Sequence, residues 1–228
     1  MCVIVNDSVK SIGVEAFKGS GIYTNTSNWE NGALYINNCL VAVDKKATSY
    51  TIKPGTRLIA GGVFKNCSTL TSITIPESVI SIAEKAFEGC TALTTITIPE
   101  SVMSIGNEAF EDCTSLTFVT IPSSVKSIEC NAFRGCSFTS ITIPNGVISI
   151  EDRVFEECYS LTSVTIPSSV KSIGYMAFCD CSYLTSVKYT GTKGQWNKIE
   201  KSGWADNSYI QVVRCTDGEI IMSKPKES

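Results

Sequence analysis

The chain has 228 residues, 43% of them apolar and only 18% charged, with a net charge of −3. That balance is apolar enough to bury a core and excludes a disordered chain. The mild acidity, with no basic stripe, argues against nucleic acid as a partner. Histidine is absent, which removes the commonest general base and the commonest zinc ligand together. No apolar run reaches the length of a membrane-spanning helix, so no membrane insertion is expected.

The first stretch, Val3-Ile4-Val5-Asn6-Asp7-Ser8-Val9-Lys10-Ser11-Ile12, aligns with Ile73 to Ile82 further along. Residues 1–20 therefore read as a truncated first repeat with a strand at Val3–Val5. A strand with no neighbour on one side is an open edge, and edge-to-edge self-association through Val3–Val5 is expected of it. No basic segment followed by an apolar one marks a signal peptide. The start inside a repeat leads to the expectation that this is a piece of a longer protein.

Phe17 and Phe64 lie 47 residues apart, close to two of the periods described next. Residues 21–66 are accordingly expected to hold a degenerate repeat. Within it, Ala33-Leu34-Tyr35-Ile36-Asn37-Asn38-Cys39-Leu40-Val41-Ala42-Val43 reads as strand, turn, strand, and is predicted to form a projecting hairpin.

From 67 to 189 one phrase recurs: Cys67-Ser68-Thr69-Leu70-Thr71-Ser72-Ile73-Thr74-Ile75-Pro76, then Ser78-Val79, Ser81-Ile82, Ala86-Phe87 and Cys90. Phenylalanines fall at 64, 87, 110, 133, 155 and 178, and prolines at 76, 99, 122, 144 and 167, a step of 23 residues with a single 22. A fixed short period is the signature of a solenoid, in which each repeat buries its apolar face on the next. Ile73 and Ile75 alternate with Ser72 and Thr74, which predicts a short strand with the isoleucines inward. Pro76 ends it, because proline cannot donate to a ladder. Val79 and Ile82 predict a second extended segment, and Ala86-Phe87 a short helical piece with Phe87 in the core. Equivalent strands of successive repeats must lie side by side and parallel, from Tyr50–Ile52 through Ile73–Ile75 to Val187–Tyr189.

Beyond 189 the pattern changes. Trp196 and Ile199 are spaced to share a helix face; Trp204 follows, then a predicted strand over Tyr209–Cys215. A solenoid must cover its last apolar rung, so 190–228 is expected to be a C-terminal cap and tail, frayed from Met222 to Ser228.

The cysteines number 11, so at least one has no partner within the chain. Six of them (Cys67, Cys90, Cys113, Cys136, Cys158 and Cys181) occupy one repeat position. They are expected to form a row of small buried thiols; disulfides between adjacent rungs are the alternative.

The unit Leu-Thr-Ser-Ile-Thr-Ile-Pro…Ser-Val…Ser-Ile…Ala-Phe…Cys resembles the BspA-type (Treponema-type) leucine-rich repeat family of bacterial surface proteins. The likeness covers 67–189 well and 3–20 in part. It extends to the insertion at Asn28-Trp29-Glu30-Asn31-Gly32-Ala33-Leu34-Tyr35-Ile36 and to the ending Gly191-Thr192-Lys193-Gly194-Gln195-Trp196-Asn197…Cys215-Thr216-Asp217-Gly218. The resemblance implies an α/β-type leucine-rich repeat solenoid. Its expected form is a right-handed coil with a parallel sheet on the concave face and short irregular or helical segments on the convex side. It further implies an extracellular or cell-surface protein with an adhesive role toward a host or matrix protein. The motif contains no catalytic residue.

On such a scaffold the outward side chains of the parallel strands form the contact surface. Two columns follow: Ser72, Thr95, Phe118, Ser140, Ser163 and Ser186, and Thr74, Thr97, Thr120, Thr142, Thr165 and Lys188. Hydroxyls donate and accept, so these twelve residues are the candidate ligand-binding face, suited to a polar extended ligand. The plainer alternative is that stacked threonines favour the sheet by themselves. Trp29, Trp196 and Trp204 are candidate sugar platforms, but packing of the irregular ends is the simpler assignment. Glu77, Glu84, Glu88 and Glu100 read as a solvated face, with no pair placed in a cleft for glycoside chemistry. No phosphate loop, nucleophile elbow or zinc signature is present. The sequence thus predicts no enzyme, metal or cofactor. It leaves three functions open: a protein-binding module, a spacer within a larger surface protein, and a glycan binder.

Overall fold

The computed structural model describes residues 4–6, 8–201, 203–205 and 209–222. The repeat folds as a solenoid in which, from Ser49 on, each coil contributes one strand to a front sheet and a shorter one to a back sheet. The front strands are Ser49–Thr51, Ser72–Thr74, Thr95–Thr97, Phe118–Thr120, Ser140–Thr142, Ser163–Ile166, Ser186–Tyr189 and Val212–Cys215. They pair in parallel and in register within three ladders, Ser49–Thr51 with Ser72–Thr74, Thr95–Thr97 with Phe118–Thr120, and Ser140–Thr142 through Val212–Cys215. The back sheet is built on the Ser-Ile dipeptides, from Ser81–Ile82 and Ser104–Ile105 through Ser172–Ile173. Between the sheets lies one continuous core, because the inward positions repeat: Leu93, Ile96, Ile98, Val102, Ile105, Ala109 and Phe110 are all buried.

The phenylalanines form a spine. Adjacent rings from Phe64 to Phe178 stack nearly parallel, with centroids 5.0 to 5.8 Å apart. Tyr50 closes one end edge-on at 5.4 Å and Trp204 the other at 5.8 Å. The cysteine row runs beside it. From Cys90 to Cys181 each thiol of the row donates to the phenylalanine carbonyl of the coil before, as Cys113 Sγ does to Phe87 O at 3.2 Å and Cys136 Sγ to Phe110 O at 3.2 Å. The six cysteines of the row are free thiols. Burial pushes Cys67 up to about 11 and Cys113 up to about 12, so the row holds protonated donors. No rung-to-rung disulfide forms among the described residues.

Four expectations are corrected. The Ala-Phe segment is a chain of turns, not a helical piece. Two residues of each such segment adopt the left-handed conformation, as Lys85 (φ 58°) and Gly89 (φ 69°) do, which no α-helix accommodates. Its amides donate to the neighbouring coil instead: Lys85 N to Asn107 O, Phe87 N to Ala109 O and Gly89 N to Glu111 O, each at 2.8 Å. Second, the hairpin formed by Ala33–Ile36 and Cys39–Val43 does not project. It lies in the back sheet, with Cys39 and Leu40 paired to Leu58 and Ile59 and with Leu34 and Leu40 fully buried. Its apolar residues need cover, which the sheet edge provides. Third, Ile4–Asn6 form no strand, while Val3 lies outside the described residues, so the open edge expected at Val3–Val5 is not seen. The entering chain is held elsewhere: Val5 N donates to Asn37 Oδ1 at 2.9 Å and Gly61 N to Ile12 O at 2.8 Å. Gly61 is required there, because a Cβ would sit 2.8 Å from Val14 N.

The fourth correction concerns the C-terminal segment, which is a further coil rather than only a lid. Glu200–Lys201 extends the back sheet beside Ser172–Ile173, and Val212–Cys215 extends the front sheet beside Ser186–Tyr189. The strand is shorter than the predicted Tyr209–Cys215. Thr192 caps the short helix Lys193–Trp196 with a capping box to Gln195, and Trp196 and Ile199 are buried, as their spacing predicts. Gly218–Ile221 then turns back antiparallel along the front edge. Residues 223–228 of the expected frayed tail lie outside the described residues. Among the described residues no helix is long and apolar enough to cross a membrane.

The single 22-residue step leaves a structural mark. Cys136-Ser137-Phe138 has one residue fewer than Cys113-Thr114-Ser115-Leu116, and Phe138 takes the buried leucine position. Its ring wedges edge-on against Phe133 and Phe155 at 6.0 and 6.1 Å, and those two spine rings are the widest-spaced pair, at 5.8 Å. The back sheet divides at this step, between Ser127–Ile128 and Ser149–Ile150; the front ladder also breaks here, between Phe118–Thr120 and Ser140–Thr142, as it does between Ser72–Thr74 and Thr95–Thr97, where the step is the ordinary 23.

Candidate ligand-binding face

Strand alternation puts Ser72, Thr74, Thr95, Thr97, Phe118, Thr120, Ser140, Thr142, Ser163, Thr165, Ser186 and Lys188 on the outer side of the front sheet. The first nine and Lys188 are exposed, while Thr165 and Ser186 are half-buried. Pairing aligns them as two columns across neighbouring strands, as in Thr142, Thr165 and Lys188. The sequence reading missed members at both ends. Ser49 and Thr51 pair with Ser72 and Thr74, and Arg214 lies directly opposite Lys188. Extending the strand register to residues 49–51 would have found the first two. Arg214 was hidden because the last coil departs from the repeat length, so Val213 pairs with Val187 at an irregular spacing.

Hydroxyls that stitch the coils lie elsewhere. Ser78, Ser101, Ser124 and Ser169 donate to carbonyls of the coil before, at 2.6 to 2.8 Å. Thr71 and Thr162, at the strand entries, do the same to Thr48 and Thr139 at 2.9 Å. Among the described residues the outward hydroxyls of the two columns bond to no protein group. Their donor and acceptor capacity faces solvent, where a ligand can use it.

At the 22-residue step the divided front sheet leaves a groove of about 540 Å³ lined by Phe118, Thr120, Ile121, Ser140, Thr142, Pro144, Asn145, Thr165 and Thr190, among others. Phe118, at 63% exposure, stands at its edge. A second groove of about 490 Å³ shares Thr165 and Thr190 with the first and continues to Lys188, Arg214 and Thr216. Together they form one trough, apolar at the Phe118 end and cationic at the other. Arg214 Nε pairs with Glu219 at 3.0 Å, and both side chains are more than half exposed.

The carboxylates divide. Glu77, Glu84 and Glu100 are exposed as expected. Glu88 instead has a side chain only 18% exposed, 2.9 Å from Lys65 and 3.5 Å from Lys85. Its carboxylate lies within 4.8 Å of those of Glu108 and Glu111. The hydrogen bond from Lys85 holds the Glu108 carboxyl below its usual range, whereas burial pushes Glu111 up. Arg134 reaches Glu111, Glu156 and Glu157 at 2.8 to 2.9 Å. Cations thus thread the cluster and tie successive coils together across the turns. The tryptophans pack the ends: Trp196 and Trp204 are buried, and half-buried Trp29 donates Nε1 to Tyr23 O at 2.9 Å. Buried as they are, Trp196 and Trp204 offer no open ring face to a sugar.

No curated protein sequence matches the chain. Among solved structures, a leucine-rich repeat protein from Eubacterium ventriosum superposes with a TM-score of 0.67 and 28% identity, over 86% of this chain and 55% of that one. The leucine-rich repeat protein of T. pallidum gives a TM-score of 0.57 at 27% identity, over 69% of this chain and 73% of that one. A leucine-rich repeat protein from Bacteroides ovatus shares the fold at 24% identity with a TM-score of 0.53, over 76% of this chain and 56% of that one. This chain therefore spans little more than half the length of two of these relatives. The family described as the BspA type leucine rich repeat region matches in six copies, over residues 2–117, 43–144 and 104–218. With a matching fold and repeats recognised along nearly its whole length, the chain belongs to the BspA-type leucine-rich repeat family.

Proposed function

We propose that this chain is a non-catalytic binding module of a bacterial surface protein, and that it holds a protein ligand against the outer side of its front sheet. One observation carries the reading: the outward hydroxyls are unbonded among the described residues, whereas neighbouring serines and threonines are used up in joining coils. Threonine columns favour a sheet through their β-branched packing, and that packing leaves the outward hydroxyls available to a ligand. Phe118, exposed beside a groove, supplies the apolar anchor that polar contacts lack, and aromatic side chains are enriched at the energetic centres of interfaces. Family membership supports the surface location and the adhesive role through the resemblance drawn above.

The test is capture of purified extracellular-matrix proteins on immobilised wild-type chain and on a Phe118→Ala, Thr120→Arg double variant. Both positions are exposed, so the variant keeps the fold. Capture by the wild type and its loss in the variant support the reading. Equal capture by both removes the front face from the function. If no matrix protein is captured and the isolated chain acts only as a length of a larger protein, the spacer function replaces it.

A further inference from the structure

Lys188 and Arg214 are an anomaly. Elsewhere in their column the outward residue is Thr51, Thr74, Thr97, Thr120, Thr142 or Thr165. In two adjacent strands threonine is replaced by a cation, and the two cations lie directly opposite one another. Like charges at such positions destabilise a sheet. Glu219, opposite Arg214 on the next strand, offsets one of them. Lys188 forms no ion pair among the described residues. The two sheet columns carry no other charge, in a chain whose net charge is −3. A local rule broken without a structural gain points to function.

We infer that the trough from Phe118 to Lys188 and Arg214 binds an extended peptide segment, seating a bulky apolar side chain on Phe118 and a carboxylate between Lys188 and Arg214. This rests on the front-face reading above and specifies its ligand. Three to four strand spacings of about 4.8 Å separate the two anchors, roughly 14–19 Å, which an extended chain covers in about five residues. The hydroxyls of Thr120, Ser140, Thr142 and Thr165 lie between them and suit the backbone groups of such a chain. A polyanionic glycan fits less well, since it needs cations along its length and here they stand at one end only.

The probe is a fluorescein-labelled hexapeptide with tryptophan first, serine and glycine between, and aspartate last, its C-terminus amidated. Its counterpart ends in lysine, and a third version ends in glycine with a free carboxylate. Binding is read by fluorescence anisotropy at low and high salt. The aspartate or free-carboxylate peptide is expected to bind at least about tenfold more tightly than the lysine peptide, by a margin that shrinks in high salt. Whichever of the two binds identifies the carboxylate as a side chain or a chain end. Lys188→Glu is expected to abolish the preference, and Phe118→Ala to weaken all three peptides. Lys188→Thr, which restores the residue of the neighbouring coils, is the variant least able to disturb the fold and is expected to lower the preference as well. Equal binding of acidic and basic peptides overturns the inference, as does a preference that survives Lys188→Glu. Absence of saturable binding up to about 1 mM peptide does so too, and so does binding of a heparin oligosaccharide in place of the peptides. Peptide failure alongside matrix-protein capture that depends on Phe118 and Thr120 sinks this inference alone. Failure of both sinks the front-face reading too.

Discussion

Truncating one ring of the spine is the sharpest test of the coil stacking. Phe110 is fully buried, and its ring lies 5.2 Å from Phe87 and 5.3 Å from Phe133, within 4° of parallel. Phe110→Ala removes that burial and leaves a cavity, at a cost of about 3–5 kcal/mol. Each of the two lost ring contacts carries about 0.5–1.5 kcal/mol beyond area burial, which places the cost in the upper part of that range. A coil of a solenoid touches only its neighbours, so no distant part of the core shares the loss. Against a total stability of roughly 5–15 kcal/mol, the change consumes a large fraction. Phe118, in the next repeat, is 63% exposed, and Phe118→Ala is expected to change stability by less than about 0.5 kcal/mol. Urea titration followed by circular dichroism separates the two: the Phe110→Ala midpoint falls sharply, or the transition splits into two, while that of Phe118→Ala stays in place. A cost below about 1 kcal/mol for Phe110→Ala, or equal costs for both, would refute the reasoning.

Other outcomes follow from the same geometry. The buried thiols at 90, 113, 136, 158 and 181, all held above the ordinary cysteine value by burial, are expected to resist a thiol reagent such as dithionitrobenzoate at pH 8 until urea unfolds the chain. The half-buried Cys130 and Cys215 should react first, as mass mapping of labelled peptides would reveal. Because the Lys85 hydrogen bond lowers the Glu108 pKa, that carboxylate contributes stability above its unfolded value of about 4.3 and loses it as pH falls through the lower folded value. Glu108→Gln is therefore less stable than wild type at pH 7, and melting temperatures measured down the pH scale should converge in acid. Gly106→Ala would place a Cβ 2.7 Å from Glu84 N and 2.8 Å from Ala83 C, a backbone clash expected to cost about 1–3 kcal/mol in a urea titration. Inserting one residue after Ser137 together with Phe138→Leu restores the common repeat length. Hydrogen exchange should then report new protection along Ser140–Thr142, with the groove beside Phe118 closed.

Much of the fold is legible in the order of the residues. Period and alternation together place Ile96, Ile98, Val102 and Phe110 inside and Thr95 and Thr97 outside, because a solenoid applies one inward-outward rule to every coil. Those same rules put the twelve residues of the candidate face on the outer side of the front sheet. The turn around Lys85 and Glu108 is not legible in this way. Both adopt left-handed backbone without the glycine that would announce it, and Ala-Phe after a charged residue reads locally as helix. Nor is the clasp of Glu88, Glu108, Glu111 and Arg134, whose members come from three successive coils and look like ordinary surface charges one at a time.

The amino-acid order alone thus determined what each coil buries, since apolar spacing within a repeat is a local property. Only the tertiary structure decided what coils do to one another, because that depends on how far each is displaced on its neighbour. The single missing residue in the Cys136-Ser137-Phe138 corner coincides with the place where the back ladder divides and where the groove at Phe118 lies. An irregular last coil brings Arg214 beside Lys188. Hydrogen bonding and charge between stacked strands act across a spacing of about 4.8 Å, and the chain order specifies that spacing only after the coils have been laid down.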